Sequence, residues 1–216
     1  MYWLSLNKNI HFSSGRIGSY DSICLAATIP PVYQSHRVFD FMKNDTTHYK
    51  GRYLNMLERD GWEFVSRSNA SNVVALVAVT ADNKIILVEQ YRKPVASFVI
   101  EIPAGLVGDH EDPDETILIA AARELQEETG FSAAHMELLM RCPSSAGMSD
   151  EIISFVVAKG LSRTGPGGGD DSESIVTHTI DLDIVDEWLA EQNKAGKMLD
   201  PKVYSALHWL KSGIIK

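Results

Sequence analysis

Three glutamates constrain how the middle of this chain can fold. Glu124, Glu127 and Glu128 stand at i, i+3 and i+4, so a helix would crowd their carboxylates onto one face. Like charges so placed cost about 0.2–0.5 kcal/mol per pair on an exposed helix. A divalent cation removes that cost, and clustered oxygen ligands suit a hard ion, Mg²⁺ or alternatively Mn²⁺. Ile117, Leu118, Ala121, Ala122 and Leu125 recur at roughly helical spacing and predict a buried stripe on the opposite side. The start is marked by Asp112 as N-cap, Pro113 at the first helical position and Glu115 at the third, a capping box. Gly130 marks the stop. Together these signals predict a helix over 113–129. A glutamate-rich helix side is by itself usually just solvated, so the case for a metal rests on its neighbours.

Composition narrows the alternatives. With 216 residues the chain can form one sizeable core plus an arm, and a formal net charge of -9 disfavours a nucleic-acid partner gripped by its phosphates. Cys24 and Cys142 form no CxxC motif or disulfide framework, which fits a reducing compartment. The histidines show no paired metal-ligand spacing. No apolar run approaches a membrane span, and the first ten residues lack the pattern of a secretory signal, so a cytoplasmic protein is expected.

Residues 1–47 show no sustained period and are read as an extension without assigned function. From 48 onward, 49–57 and 62–67 are predicted strands joined at Asp60-Gly61, a dipeptide that favours a hairpin turn. They form an N-terminal β arm over 48–70. Stretches 72–80 and 85–91, rich in β-branched residues around Ala81-Asp82-Asn83-Lys84, predict a second, central hairpin, followed by a short strand over 99–102. Strands at 136–141, 152–159 and 174–180 and helices at 183–195 and 201–211 complete a main domain over 71–216. Such mixing implies an α/β sandwich with a mixed sheet. The run Gly165-Pro166-Gly167-Gly168-Gly169 lacks the Gly-Lys-Ser/Thr ending of a phosphate loop. It reads as a flexible surface loop, with Asp170, Asp171 and Glu173 on a segment able to close over a site.

The order Arg123-Glu124-Leu125-Gln126-Glu127-Glu128-Thr129-Gly130-Phe131, preceded by a glycine and a glutamate, resembles the Nudix box of the Nudix hydrolases. That pattern runs glycine, five residues, glutamate, seven residues, Arg-Glu. Counting back from Arg123 reaches Glu115 and counting forward from Gly105 reaches Glu111, so the two halves are out of step by four residues. Loops absorb insertions more cheaply than helices. The extra residues are therefore placed between Gly105 and Asp112, with Glu115 as the box glutamate and Glu111 as its rival. The resemblance implies the Nudix α/β/α fold and attack by water on a diphosphate.

A second resemblance, to the ADP-ribose pyrophosphatase branch, covers roughly 48–210. It rests on Gly61-Trp62-Glu63-Phe64-Val65, Val88-Glu89-Gln90-Tyr91-Arg92, Glu101-Ile102-Pro103-Ala104-Gly105 and Ser145-Ala146-Gly147-Met148-Ser149-Asp150-Glu151. It implies Glu124 and Glu128 as principal metal ligands, Glu127 as a further one and Ala104 as the residue whose carbonyl joins them. Arg123 and Glu115 would support catalysis beside Glu127. Trp62 would stack on adenine, often across a dimer interface, with Glu63 reading the base. Arg67, Arg92 and Glu101 would complete the substrate site, Arg92 near the diphosphate. Core packing for Trp62 and a surface ion pair for Arg92 are the plain alternatives. Glu173 is the expected general base, with Asp171 and Glu151 as rivals. The implied protein is a homodimeric ADP-sugar diphosphatase. A GDP- or UDP-sugar substrate, or a non-catalytic module that binds ADP-ribose, are the alternatives.

Overall fold

The computed structural model describes residues 45–70, 72–108, 114–169 and 174–215. Its first element is an antiparallel meander of β1 (Thr46–Lys50), β2 (Leu54–Arg59) and β3 (Trp62–Arg67). The single strand expected over 49–57 is thus two strands. Gly51 makes the turn between them: its N–H donates to the Leu54 carbonyl at 2.9 Å, and a Cβ there would lie 2.6 Å from the same oxygen. The Asp60-Gly61 turn is where the sequence puts it, with φ of 52° and 80°. Two positive φ values are what a two-residue hairpin turn requires. Of the expected extension over 1–47, only 45–47 lie among the described residues, and Thr46 and Thr47 open β1.

β4 (Asn72–Ala78) and β5 (Lys84–Arg92) follow, but they do not pair as a hairpin. Apart from a single bridge between Val79 and Ile85 they enter different sheets. With β6 (Ser97–Glu101), β7 (Ala104–Val107), β8 (Phe131–Pro143), β9 (Ile152–Arg163), β10 (Ile175–Asp181) and β11 (Met198–Leu199), the sheets run β7-β4-β9-β8 and β10-β5-β6-β11. β4 pairs parallel with β9 and β6 parallel with β11, and the other pairs are antiparallel, so both sheets are mixed. The physical reason for the split is that β4 and β5 are apolar on both faces, as interior strands must be.

Alternation along β4 separates two cores. Val74, Leu76 and Ala78 pack with Ala120, Ala121 and Leu125 of helix α1 (Ile117–Thr129). Ala75 and Val77 face the other way, towards a cluster containing Val185 and Leu189 of α2 (Val185–Lys194) and Val203, Ala206 and Leu207 of α3 (Pro201–Lys211). Helices therefore cover both faces, the α/β/α layering expected. Full burial of Leu125 contributes about 2 kcal/mol to holding α1 in place. Among the described residues no helix is long and apolar enough to cross a membrane.

The start and the buried face of α1 differ from expectation. Its N-cap is Thr116, whose hydroxyl accepts from Ile119 N, so the helix begins at Ile117. Asp112 and Pro113 lie outside the described residues. Glu115 does not sit at the third helical position, because Arg123 and the Gly108 amide engage its carboxylate instead. Leu118 and Ala122 are exposed, and Glu124 and Glu128 are buried beside the apolar stripe rather than opposite it. Both carboxylates turn towards β7. Gly130 ends the helix in the left-handed region, as predicted.

Candidate active site

The box helix carries its carboxylates into a cavity of about 350 Å³ between β7, the end of β5 and the start of α3. Gly105 makes this possible. A Cβ at that position would lie 1.9–2.4 Å from the carboxyl atoms of Glu124, so only glycine lets the Glu124 head group rest against β7. Next to it the Ala104 amide donates to Glu128 Oε2 at 3.0 Å. Glu124 and Glu128 are nearly sealed, at 8% and 3% exposure, whereas Glu127 is partly open to the cavity.

Arg123 organises this cluster. Its guanidinium donates to Glu115 at 2.9 Å, to Glu124 at 2.7 Å, to Glu127 at 3.1 Å and to the Leu106 carbonyl at 2.9 Å. Burial works against its charge, but the hydrogen bond to Glu115 and the charge of Glu124 more than offset this and hold its pKa above the ordinary value. Glu115 also accepts from Gly108 N at 2.7 Å, tying the end of β7 to the segment just before the helix. Among the described residues Glu115 is the glutamate from before the helix that meets Arg123. Its rival Glu111 lies outside the described residues.

These donors fit a hard divalent cation. Arg123 bonds Glu115, Glu124 and Glu127, and with the buried Glu128 these five side chains carry a formal -3 in a largely buried place. Such a surplus is costly without further positive charge. Carboxylate oxygens with the Ala104 carbonyl nearby are the ligand type that Mg²⁺ or Mn²⁺ prefers. Among the described residues no group of three or more acidic, histidine or cysteine side chains is already closed into a cation cage. Arg123 spans Glu124 and Glu127 in this arrangement.

Cations from other elements line the same cavity. Arg92 Nε is 2.6 Å from Glu101 Oε2, and Arg67 Nε is 2.5 Å from Glu151 Oε1; both pairs line the cavity, as do Ala104 and Glu127. β3 brings Arg67 there because it docks on the 144–151 loop: Val65 N donates to the Met148 carbonyl at 2.9 Å and Ser66 Oγ to Asp150 at 3.0 Å. Trp62 and Glu63 do not line the cavity of their own chain. Trp62 is 61% exposed, which excludes core packing, and its indole N–H donates to the Gly147 carbonyl at 3.1 Å. Glu63 pairs across the ladder with Glu58. Of the general-base candidates Glu151 lines the cavity, while Glu173 and Asp171 lie outside the described residues.

Two features were missed from sequence. Lys202 of α3 lines the cavity. A lysine in the first turn of a helix opposes the macrodipole, and that was the available signal. The second is the glycine run, which is not a loose surface loop over 165–169. Gly168 N and Gly169 N donate to the carbonyls of Glu128 and Glu127 at 2.9 and 3.0 Å, and Thr164 N and Gly165 N to that of Gly130. A Cβ on Gly167 would lie 2.5 Å from the Thr129 carbonyl carbon. The run forms a strap across the last turn of α1, close enough that side chains are excluded.

A model of the NUDIX domain matches residues 70–198. Over 138 residues the chain is 41% identical to the methanol dehydrogenase activator of Bacillus methanolicus, spanning 63% of this chain and 70% of that protein. It is 43% identical over 89 residues to the ADP-ribose pyrophosphatase of Bacillus subtilis (strain 168), covering 41% of this chain and 46% of that one. The ADP-ribose pyrophosphatase of Mycobacterium tuberculosis is 34% identical over 134 residues, 59% of this chain and 62% of the relative. In fold the chain is similar to a crystal structure of an ADP compounds hydrolase, with a TM-score of 0.58 at 24% identity over 79% of this chain and 91% of the other.

Proposed function

The chain belongs to the Nudix hydrolase family, and from that premise we propose that it hydrolyses the diphosphate of ADP-ribose or a related ADP-sugar, yielding AMP and a sugar phosphate. The observation that carries this reading is the cavity itself, which brings Glu124 and Glu127 of the box helix together with Arg67 and Arg92. The ADP-ribose pyrophosphatases among the relatives support the choice of sugar nucleotide.

Glu124, Glu127 and Glu128, with the Ala104 carbonyl, would hold Mg²⁺. When bound, the ion polarises phosphoryl oxygens and lowers the pKa of a coordinated water. Arg123 keeps the carboxylates aimed, and Glu115 holds Arg123 in register. Arg92 and Arg67 neutralise the diphosphate, each giving up part of its present carboxylate contact. A water oxygen bonds to one phosphorus, the bridging oxygen leaves with the other phosphate, and the water's proton passes to a carboxylate. Glu173, with Asp171 and Glu151 as rivals, is the candidate for that proton, and comparing Glu173→Gln, Asp171→Asn and Glu151→Gln separates them. Trp62 and Glu63, away from the cavity of their own chain, suit the adenine site of a partner subunit in a homodimer.

Purified protein with Mg²⁺ and a panel of ADP-, GDP- and UDP-sugars, with products resolved as nucleotides, tests the reading. AMP and ribose 5-phosphate from ADP-ribose are expected, and Glu128→Gln should abolish turnover while leaving the fold intact. Preference for a GDP-sugar or a nucleoside triphosphate would reject the substrate. ADP-ribose binding without turnover would favour a binding module.

A further inference from the structure

Three of the cations lining the cavity, Arg67, Arg92 and Arg123, are bonded to carboxylates that line it too. Lys202 is different. Its Nζ lies 2.5 Å from Asp200 Oδ2, and Asp200 is not part of the lining. The formal charges around the cavity balance only with Lys202 counted: Arg67, Arg92, Arg123 and Lys202 against Glu101, Glu124, Glu127 and Glu151.

The helix does not explain the residue. Asp200 caps α3 by accepting from the Lys202 backbone N–H at 2.7 Å, a bond that any residue but proline could supply. The ammonium stands at the end of the helix where positive charge is disfavoured. A compact charge on a flexible four-carbon stem can exchange a carboxylate for a phosphate oxygen within the same reach.

We infer that Lys202 is a substrate-binding residue of this cavity, its ammonium leaving Asp200 to pair with the diphosphate of the incoming nucleotide sugar. The inference rests on the diphosphatase reading above. Asp200 holds the side chain ready until substrate arrives.

Steady-state kinetics of Lys202→Met, Lys202→Arg and Asp200→Asn against ADP-ribose read the contact. Lys202→Met should raise KM about 10–100-fold, as befits a lost charge-assisted hydrogen bond, with kcat within about threefold. Lys202→Arg should restore most of the KM. Asp200→Asn, which keeps the cap, should leave KM at or below that of the wild type. An unchanged KM in Lys202→Met overturns the inference. So does an equal rise in all three variants, which would mark a merely structural role at the helix start. Calorimetric titration with inorganic pyrophosphate reads the same contact without turnover: Kd should rise at least about tenfold in Lys202→Met, and equal Kd values, or no binding by either protein, overturn the inference. A wild type that binds pyrophosphate through Lys202 yet hydrolyses no nucleotide sugar would refute the proposed reaction alone.

Discussion

Gly105→Ala is the sharpest test of how β7 and the box helix share one space. Gly105 lies on β7 opposite Val74 and its φ is not in the left-handed region, so the backbone accepts alanine without strain. Only the added methyl matters. It would sit 1.9 Å from Glu124 Cδ and 2.0 Å from Oε1, against ordinary contact distances of about 3.5–4.0 Å. The carboxylate must therefore retreat by about 1.5–2 Å. Because it is the far end of a flexible side chain, the fold should survive, at a cost of about 1–3 kcal/mol for overpacking and the disturbed bond to Arg123. For a domain of this size that lowers Tm by about 2–12 °C. If Glu124 holds the metal as proposed, moving its carboxylate by more than 1 Å should lower kcat/KM by about 100-fold, or about 2.7 kcal/mol of transition-state stabilisation. Thermal unfolding and ADP-ribose kinetics on the same preparation measure both effects, and Mg²⁺ titration should show weaker activation. A variant with wild-type kcat/KM would refute the argument that Glu124 needs the space glycine leaves.

Further outcomes follow from other contacts. Glu115→Gln should impair hydrolysis more than Glu111→Gln, since Glu115 is the side chain bonded to Arg123; the reverse ranking in kcat would place the insertion in the helix. Glu89 is opposed by its own burial, but the hydrogen bonds from Lys197 at 2.7 Å and His178 at 2.9 Å prevail and hold its pKa below the ordinary 4.5. A carboxylate depressed in the folded state adds stability that is complete above its unfolded pKa and is lost as pH falls through the folded value. Lys197→Met should therefore cost about 1–3 kcal/mol in urea unfolding at neutral pH, and the deficit should shrink below about pH 4; a constant deficit would contradict the assignment. Sedimentation should show a dimer at micromolar concentration, with the exposed Tyr49, Tyr53 and Trp62 of the meander as its apolar contact surface. A fully active monomer would remove both the dimer and the partner's adenine site.

What could be read from sequence was local or periodic. The Asp60-Gly61 turn, the Gly130 stop and the carboxylate spacing each depend on a few adjacent residues. Arg67, Arg92 and Glu101 were legible only through motif resemblance, and the structure does bring all three to one cavity. The failures share a different cause. β4 and β5 look like a hairpin because they are adjacent and apolar, yet each takes two other partners, and distant pairings such as β4 with β9 and β5 with β10 leave no local mark. Glu115 resembles a capping residue until the folded chain offers it Arg123. Lys202 is about eighty residues from the box helix in sequence, and only the second core brings α3 to the cavity.

The glycine strap has a consequence for how the protein assembles. The carbonyls at the end of α1 are satisfied by amides from beyond β9, so that turn is completed by chain nearly forty residues downstream. Helix formation in isolation would leave those groups to water, and the final turn should become rigid only after β9 and β10 have docked. In native-state hydrogen exchange the amides of Gly168 and Gly169 should therefore open together with the last turn of α1 as one cooperative unit, rather than with the loops around them. The box carboxylates Glu127 and Glu128 sit on that turn, so their geometry should be set late, by the order in which distant strands arrive.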